Sequence, residues 1–339
     1  MKIFSKNIYS KVENFSILIF KALGFYPLIK QQSTKNGSKL PQLMIQAWSI
    51  VVFLLVCINI LSVVTNDEQV FDDISLGNAN NILKYGFTNV SLLVFLAESF
   101  VHIRNFQLIF KKFHKVKNEL KVLRVDFENY KTKMVKEYAI KFLIFITLET
   151  ISQVYIVSNI NWRTFWIVNN VPSFLCRIRH VQYIFFLHLI RFDVKIIQDE
   201  LAKIVNDSKM RFFSCDKCVY DATLDRLQAL KNAYGVLWNV VFDINEIFTW
   251  SITANILQNF VQIGCDSYWV YISLSRGTFG FFISCFNTVP TVVLLSLVLF
   301  EANRVEIDAL KIPVQIHSIR KCKRECDLYQ MVNYNKFEI

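Results

Sequence analysis

The sequence predicts an all-α, polytopic membrane protein of about six transmembrane helices with cytoplasmic helix extensions and its N-terminus inside. Three observations carry this. The 339 residues are 53% hydrophobic and 15% aromatic, with 31 Phe against 8 Gly and 5 Pro, too apolar and too poor in turn residues for an ordinary soluble domain. Several runs of about 20 residues carry few or no charges, the length needed to cross about 30 Å of hydrocarbon as a helix. Lys and Arg fall in alternate inter-span segments, 32 on one side against 2 on the other, and basic flanks stay cytoplasmic.

Taken in order, residues 1–43 form a cytoplasmic N-terminal segment with 7 Lys. Its one apolar patch, Phe15 to Leu23, is short, lies among lysines and lacks a small-residue cleavage site, so it does not read as a signal peptide. Spans follow at 44–64, 82–103, 138–157, 165–190, 238–262 and 278–300. The 65–81 segment is acidic (Asp67, Glu68, Asp72, Asp73) and is expected outside. Residues 44–300 make the six-helix domain, and 301–339 form a polar, basic cytoplasmic tail with Arg320, Lys321, Lys323 and Arg324 clustered. No alternation of ten-residue apolar–polar segments suggests a β-barrel. An N-terminus inside also runs against the G-protein-coupled receptor topology.

Two cytoplasmic segments carry helical patterning of their own. In 104–137, apolar residues recur in steps of three and four at Phe106, Ile109, Phe113, Val116, Leu120, Leu123, Phe127, Tyr130 and Met134. This predicts an apolar seam on a Lys-rich helical extension; the alternative is an amphipathic helix lying on anionic lipid. In 191–237, Ile190, Val194, Ile197, Leu201 and Ile204 continue span four, and Leu224, Leu227, Leu230, Tyr234 and Leu237 lead into span five. A bundle of these extensions is expected, with 206–219 irregular between them.

Charges inside a span are costly unless paired or hydrated. Glu149 and Arg177 lie at about 12 and 18 Å from the outer ends of their spans at ~1.5 Å per residue, a gap that a snorkelling Arg closes, and they are expected to pair. Structural pairing and a gating or ligand role both remain open. Pro172 and Pro290 are expected to kink their helices and free backbone carbonyls.

No catalytic constellation is visible. The five histidines, His102, His114, His180, His188 and His317, form no metal box. Cys215 and Cys218 make C-x-x-C, and Cys322 and Cys326 make C-x-x-x-C, yet no aligned spacing or nearby His supports zinc. The sequons at Asn14, Asn36, Asn89 and Asn206 are cytoplasmic or intramembrane in this topology, so glycosylation is not expected. No cofactor is expected, and the placement of the +11 net charge argues for membrane orientation over nucleic acid. Repeated halves or paired broken helices, the marks of a transporter, are not apparent.

Several pieces resemble the insect gustatory receptor family, seven-transmembrane chemoreceptors related to insect odorant receptors. They are Leu23-Gly24-Phe25-Tyr26-Pro27, Arg179-His180-Val181-Gln182-Tyr183 followed by Arg191, Leu227-Gln228-Ala229-Leu230 leading to Tyr234, and Phe300-Glu301-Ala302-Asn303. The resemblance covers most of the chain through the order and spacing of these pieces. It implies a seven-helix, N-terminus-inside subunit that assembles as a homo- or hetero-tetramer and forms a ligand-gated cation channel for small-molecule tastants; for the six spans of this chain the charge count gives a multi-pass plasma-membrane protein with both termini cytoplasmic. The family's Thr-Tyr and Gln-Phe motif of the seventh helix has no counterpart; the ending Leu328-Tyr329-Gln330-Met331-Val332-Asn333-Tyr334 resembles the start of that helix cut short. A truncated gene model, a splice form or a decayed gene is the expectation, with a non-conducting subunit or a transporter as the alternative functions. The resemblance also places a ligand pocket in the outer half of the bundle, where Tyr85, Asn89, Glu149, Gln153, Asn170, Phe174, Arg177, Trp250, Thr253, Asn255, Phe282, Phe286 and Asn287 are the candidate ligand-binding residues.

Overall fold

The computed structural model describes residues 18–20, 22–23, 40–65, 75–121, 123, 125, 127–159, 170–210, 217–276 and 280–317. Among them there is no strand. Long helices follow one another: α1 (Leu40–Thr65), α2 (Ser75–Val101), α3 (Ile103–Lys121), α4 (Phe127–Asn159), α5 (Val171–Met210), α6 (Lys217–Arg276) and α7 (Gly280–His317). The described residues of the expected spans fall on these helices, the second span crossing the turn at His102 from α2 to α3. The chain divides into two units. One comprises residues 1–107, 135–185 and 245–299, the other 108–134, 186–244 and 300–339.

The first unit is built inside out. On α6, Ser251, Asn255, Gln258, Asn259, Gln262 and Asp266 are all buried, and at about 100° per residue they fall within roughly 100° of arc. The opposite face carries Trp250, Leu257, Phe260, Tyr271 and Leu274, all more than half exposed. The same inversion holds on α2, where Lys84, Thr88, Asn89 and Glu98 are buried while Ile82, Leu83 and Val90 are exposed, and on α7, where Asn287 and Thr291 are buried while Phe282 and Val289 are exposed. A water-soluble domain sorts its residues the other way, and a continuous apolar exterior of this extent calls for lipid. The 32 residues of α6 in this unit, 245–276, rise about 48 Å, more than the ~30 Å of a hydrocarbon core.

The inversion explains why composition alone singles out fewer spans. Among the described residues, only Thr132–Ser158 and Ser284–Ile316 are long and apolar enough to cross a membrane by length and hydropathy. On α2, α5 and α6, polar residues such as Glu98, Arg179 and Asn255 are buried on the protein-facing sides, where they lower the average hydropathy without being exposed to lipid. The all-helical membrane fold stands on the burial pattern as well as on apolar length.

In the second unit the amphipathic seam behaves as in water. Ile109, Phe113, Val116, Leu120 and Leu123 are buried, whereas Lys111, His114, Lys115 and Lys121 of the same stretch are exposed. The seam therefore packs against protein, with Phe110 edge-on to Phe186 at 5.8 Å between ring centroids. It is also divided between two helices: α2 gives way to α3 at a turn at His102, and α3 ends where Leu123 N donates to the Leu120 carbonyl at 3.1 Å. Two ion pairs and a hydrogen bond illustrate the polar contacts of the unit. Lys112 Nζ reaches Asp243 at 2.6 Å, Arg191 reaches Asp308 at 3.2 Å, and the Tyr130 hydroxyl donates to Asp199 at 2.8 Å.

Several boundaries differ from expectation: within 206–219, expected to be irregular, α5 runs on to Met210 and α6 already starts at Lys217. The sixth span's helix continues to His317 and the fifth's to Arg276, so Cys265 and Asp266 are helical rather than part of an outer loop. Pro172 is the second residue of α5, in the first turn of that α-helix, where no backbone donor is needed, directly after the helical Asn170. Pro290 lies in the interior of α7. The element Gly24–Pro27, the acidic cluster from Asp67 to Asp73, Cys215, and the tail with Cys322, Cys326 and Leu328–Tyr334 lie outside the described residues.

Candidate functional site

Among the described residues, six charged side chains are buried in the first unit, and they form three ion pairs. The expected pair is present: Arg177 Nη1 lies 2.8 and 2.7 Å from the two carboxylate oxygens of Glu149. The other guanidinium nitrogen, Nη2, donates to Asn287 Oδ1 at 2.8 Å, and Gln153 Nε2 donates to Glu149 Oε1 at 2.8 Å. One arginine thus joins α4, α5 and α7. Removing either charge would strand the other away from water, which is why such groups occur in pairs.

Pro290 completes this region from the backbone. Lacking an N–H, it leaves the Phe286 carbonyl without its helical donor, and Ser152 Oγ on α4 supplies one at 2.7 Å. The neighbouring Asn287 carbonyl accepts from Gln262 Nε2 at 3.5 Å and Arg177 Nη2 at 3.4 Å.

From Asn287 the polar contacts run on through α6 to α2. Gln262 Oε1 accepts from Gln258 Nε2 at 2.8 Å, and Gln258 Nε2 also donates to Thr88 Oγ1 at 3.3 Å. Thr88 Oγ1 donates to the Lys84 carbonyl at 2.8 Å. The Lys84 ammonium pairs with Asp266 at 2.5 Å, and Thr288 Oγ1 donates to the second Asp266 oxygen at 3.1 Å. The loop of contacts closes on α7, one residue from where it left.

The third pair is Arg179 with Glu98, at 2.8 Å. Glu98 spends its remaining lone pairs on α6: Oε1 accepts from the backbone N–H groups of Trp250 at 3.1 Å and Ser251 at 3.2 Å, and the Ser251 hydroxyl donates to Oε2. Arg179 also donates to Gln182 Oε1 at 2.6 Å and lies over the Phe248 ring at 4.3 Å. This pair is fully coordinated, whereas Arg177 keeps an Nε–H with no acceptor.

Of the candidate ligand-binding residues, Tyr85, Asn89, Glu149, Asn170, Arg177, Asn255 and Asn287 are buried. Gln153, Phe174 and Phe286 are intermediate, with the Phe286 ring 4.4 Å from Tyr155. Trp250, Thr253 and Phe282 are exposed on outward faces, away from the polar interior; only the backbone N–H of Trp250 reaches it. Sequence reasoning passed over Lys84, Thr88, Glu98, Gln258, Gln262 and Asp266. The stripe on α6 was available as a signal: polar residues at 251, 255, 258, 259, 262 and 266 share one helical face.

Among the described residues no group of His, Cys, Asp and Glu is placed to hold a metal ion. Cys57, Cys176, Cys265 and Cys285 are free thiols. The model of the 7tm Chemosensory receptor family matches the chain over residues 14–334. No curated protein matches it in sequence.

Proposed function

This chain belongs to the 7tm Chemosensory receptor family, and from that membership we propose that it is a gustatory-type receptor subunit of the ligand-gated cation channel class. A membrane chemoreceptor binds a small molecule, and the interior of the first unit offers what that task needs: polar groups held in fixed geometry inside a lipid-facing shell. The observation that carries the reading is Arg177, which ties α4, α5 and α7 together through Glu149 and Asn287. A tastant that competes for any of these contacts changes how three helices are held, and a ligand can shift a conformational equilibrium only through such differential contacts. In this reading the subunit sits in the plasma membrane with both termini cytoplasmic, and it conducts as a homo- or hetero-tetramer.

Ligand-evoked current in cells expressing the full transcript's product with gustatory receptor subunits tests this. Glu149→Gln, which keeps size and hydrogen bonding but removes the charge, is expected to shift the agonist dose response at normal surface expression. An unchanged dose response removes Glu149 and Arg177 from the mechanism. Antibody labelling of a terminal epitope tag in intact cells overturns the orientation.

A further inference from the structure

The exposed residues of α4 share one face. Ile140, Leu143, Ile144, Ile151 and Val154 are between 47% and 60% exposed, and at about 100° per residue they fall within roughly 100° of arc. Tyr138, Phe142, Phe145 and Glu149 are buried on the opposite side, so the apolar row is turned to lipid. Followed towards the N-terminal end of the helix, the same arc holds Lys136 and then Lys133, both exposed. Glu137 stands just outside the arc, and Thr147 is the one uncharged polar residue within it.

Helical rise sets Lys136 about 6 Å and Lys133 about 10.5 Å beyond Ile140 along the axis. The headgroup layer on each side of a bilayer is about 5–7 Å deep. A lysine facing hydrocarbon is costly, and its apolar stem lets the ammonium reach the polar layer. The apolar row and the two lysines together therefore fix where α4 leaves the hydrocarbon: just past Ile140, with both ammonium groups at headgroup depth. No ion pair joins either lysine to a described carboxylate. Three residues apart on one helix, their Cβ atoms stand about 5–6 Å from each other, close enough for both ammonium groups to donate to the oxygens of one phosphate.

We propose that Lys133 and Lys136 clasp the headgroup of an anionic phospholipid in the leaflet that meets the N-terminal end of α4, with its phosphate between them. Charge complementarity selects the occupant: two cations lie at headgroup depth beside an apolar row that acyl chains cover, and a lipid supplies the anion and the hydrocarbon in one molecule. A zwitterionic headgroup carries its own cation beside the phosphate and gains less from the pair. The inference rests on the lipid-facing side of α4 and is independent of the receptor reading.

Native mass spectrometry of the full chain tests it, in neutral-detergent micelles holding equal amounts of phosphatidylserine and phosphatidylcholine. The chain is expected to retain one phosphatidylserine ahead of phosphatidylcholine. Near an anionic surface each lysine contributes about a 5-fold preference, so Lys133→Gln and Lys136→Gln are each expected to weaken retention by about that factor, and the double variant by about 25-fold. Lys133→Arg with Lys136→Arg is expected to keep it. Lys111→Gln with Lys115→Gln, which removes two exposed charges of α3, is expected to leave it unchanged. Equal retention of the two lipids overturns the proposal, as does a preference that the glutamine variants of α4 do not alter. Three further results also overturn it: equal losses from the α3 and α4 pairs, which mean a diffuse surface charge; displacement of the lipid by millimolar inorganic phosphate, which means a free-anion site; and a changed number of chains per complex with lipid retention intact, which means a subunit contact. Should the double variant aggregate, the two single variants decide by the same spectra. Ligand-evoked current enters none of these readouts, so the receptor reading stands or falls separately.

Discussion

The two units solve opposite solvation problems with the same residue types. In the first, ion pairs are buried beside rings such as Phe95 and Phe248 while other large apolar side chains face out; the side chains of Arg179 and Glu98 are 0% and 3% exposed, and Trp250 is 69% exposed. In the second, an apolar seam is at the centre and some pairs lie towards the rim, with Lys112 and Asp243 34% and 22% exposed, while Glu301, 0% exposed, holds Arg191 further in. An ion pair in the first unit cannot exchange its partner for water. One at the rim of the second can. A salt bridge is therefore structural in the buried interior of the first unit and nearly optional at the rim of the second.

The largest effect that would break this comparison belongs to Glu98. Arg179→Leu leaves its carboxylate buried and uncompensated, at a cost of about 3–5 kcal/mol, and the variant is expected to lose its monodisperse peak on size exclusion in detergent. The double change Glu98→Met with Arg179→Leu removes both charges and is expected to recover that peak. Recovery failing while each single variant folds would mean that the pair is not the structural unit.

Next in size is a pH effect confined to the second unit. Asp193 is 1% exposed and neither carboxylate oxygen has a partner; burial pushes its carboxyl up to about 7, with the nearby Lys117 ammonium opposing. A carboxyl that binds its proton more tightly folded than unfolded makes the fold less stable as pH rises from its ordinary range through the folded value. Lowering the pH from 8 to 5 is therefore expected to stabilise the protein by about 2 kcal/mol through this residue, and Asp193→Asn is expected to remove that increment, seen as the difference between the two melting curves. Asp308 behaves oppositely: burial pushes it up, but hydrogen bonds from Lys311 and Arg191 outweigh this and hold it below its usual value.

A smaller effect sharpens the role of Pro290. Ser152→Ala strips the Phe286 carbonyl of its donor and is expected to cost about 1–2 kcal/mol. In a Pro290→Ala background, where α7 regains its own N–H, the same change is expected to cost less, and a double-mutant cycle on thermal stability measures the difference. The smallest effect is that of Lys112→Ala at the rim of the second unit, below about 1 kcal/mol and shrinking further in high salt.

What the sequence discloses follows from the physics of each signal. The helices are legible because a span is a one-dimensional feature, a length of apolar chain. Glu149 and Arg177 are legible because two isolated charges at matching depth have few other options. Glu98 and Lys84 are hidden by averaging: a window that scores a whole helix dilutes one carboxylate or ammonium among Leu, Phe and Val. Trp250, Thr253 and Phe282 point outward because depth alone does not give a helix its rotational phase. The polar stripe of α6 does give it, by placing Ser251 and Asn255 inward and so turning residues 250, 253 and 257 towards lipid. Asp266 lay beyond the expected end of its span, since Gly264, Cys265 and Asp266 read as a loop; yet a Cβ at Gly264 would meet nothing within 4 Å, and the helix passes through it unbroken.

Pro290 gives the interior an open valence that its own helix can never close. Whenever Ser152 Oγ withdraws, another donor must arrive at the Phe286 oxygen in the same step or the oxygen stands bare in a medium without water. Any sliding of α4 along α7 would have to take the form of a hand-over between donors at that oxygen.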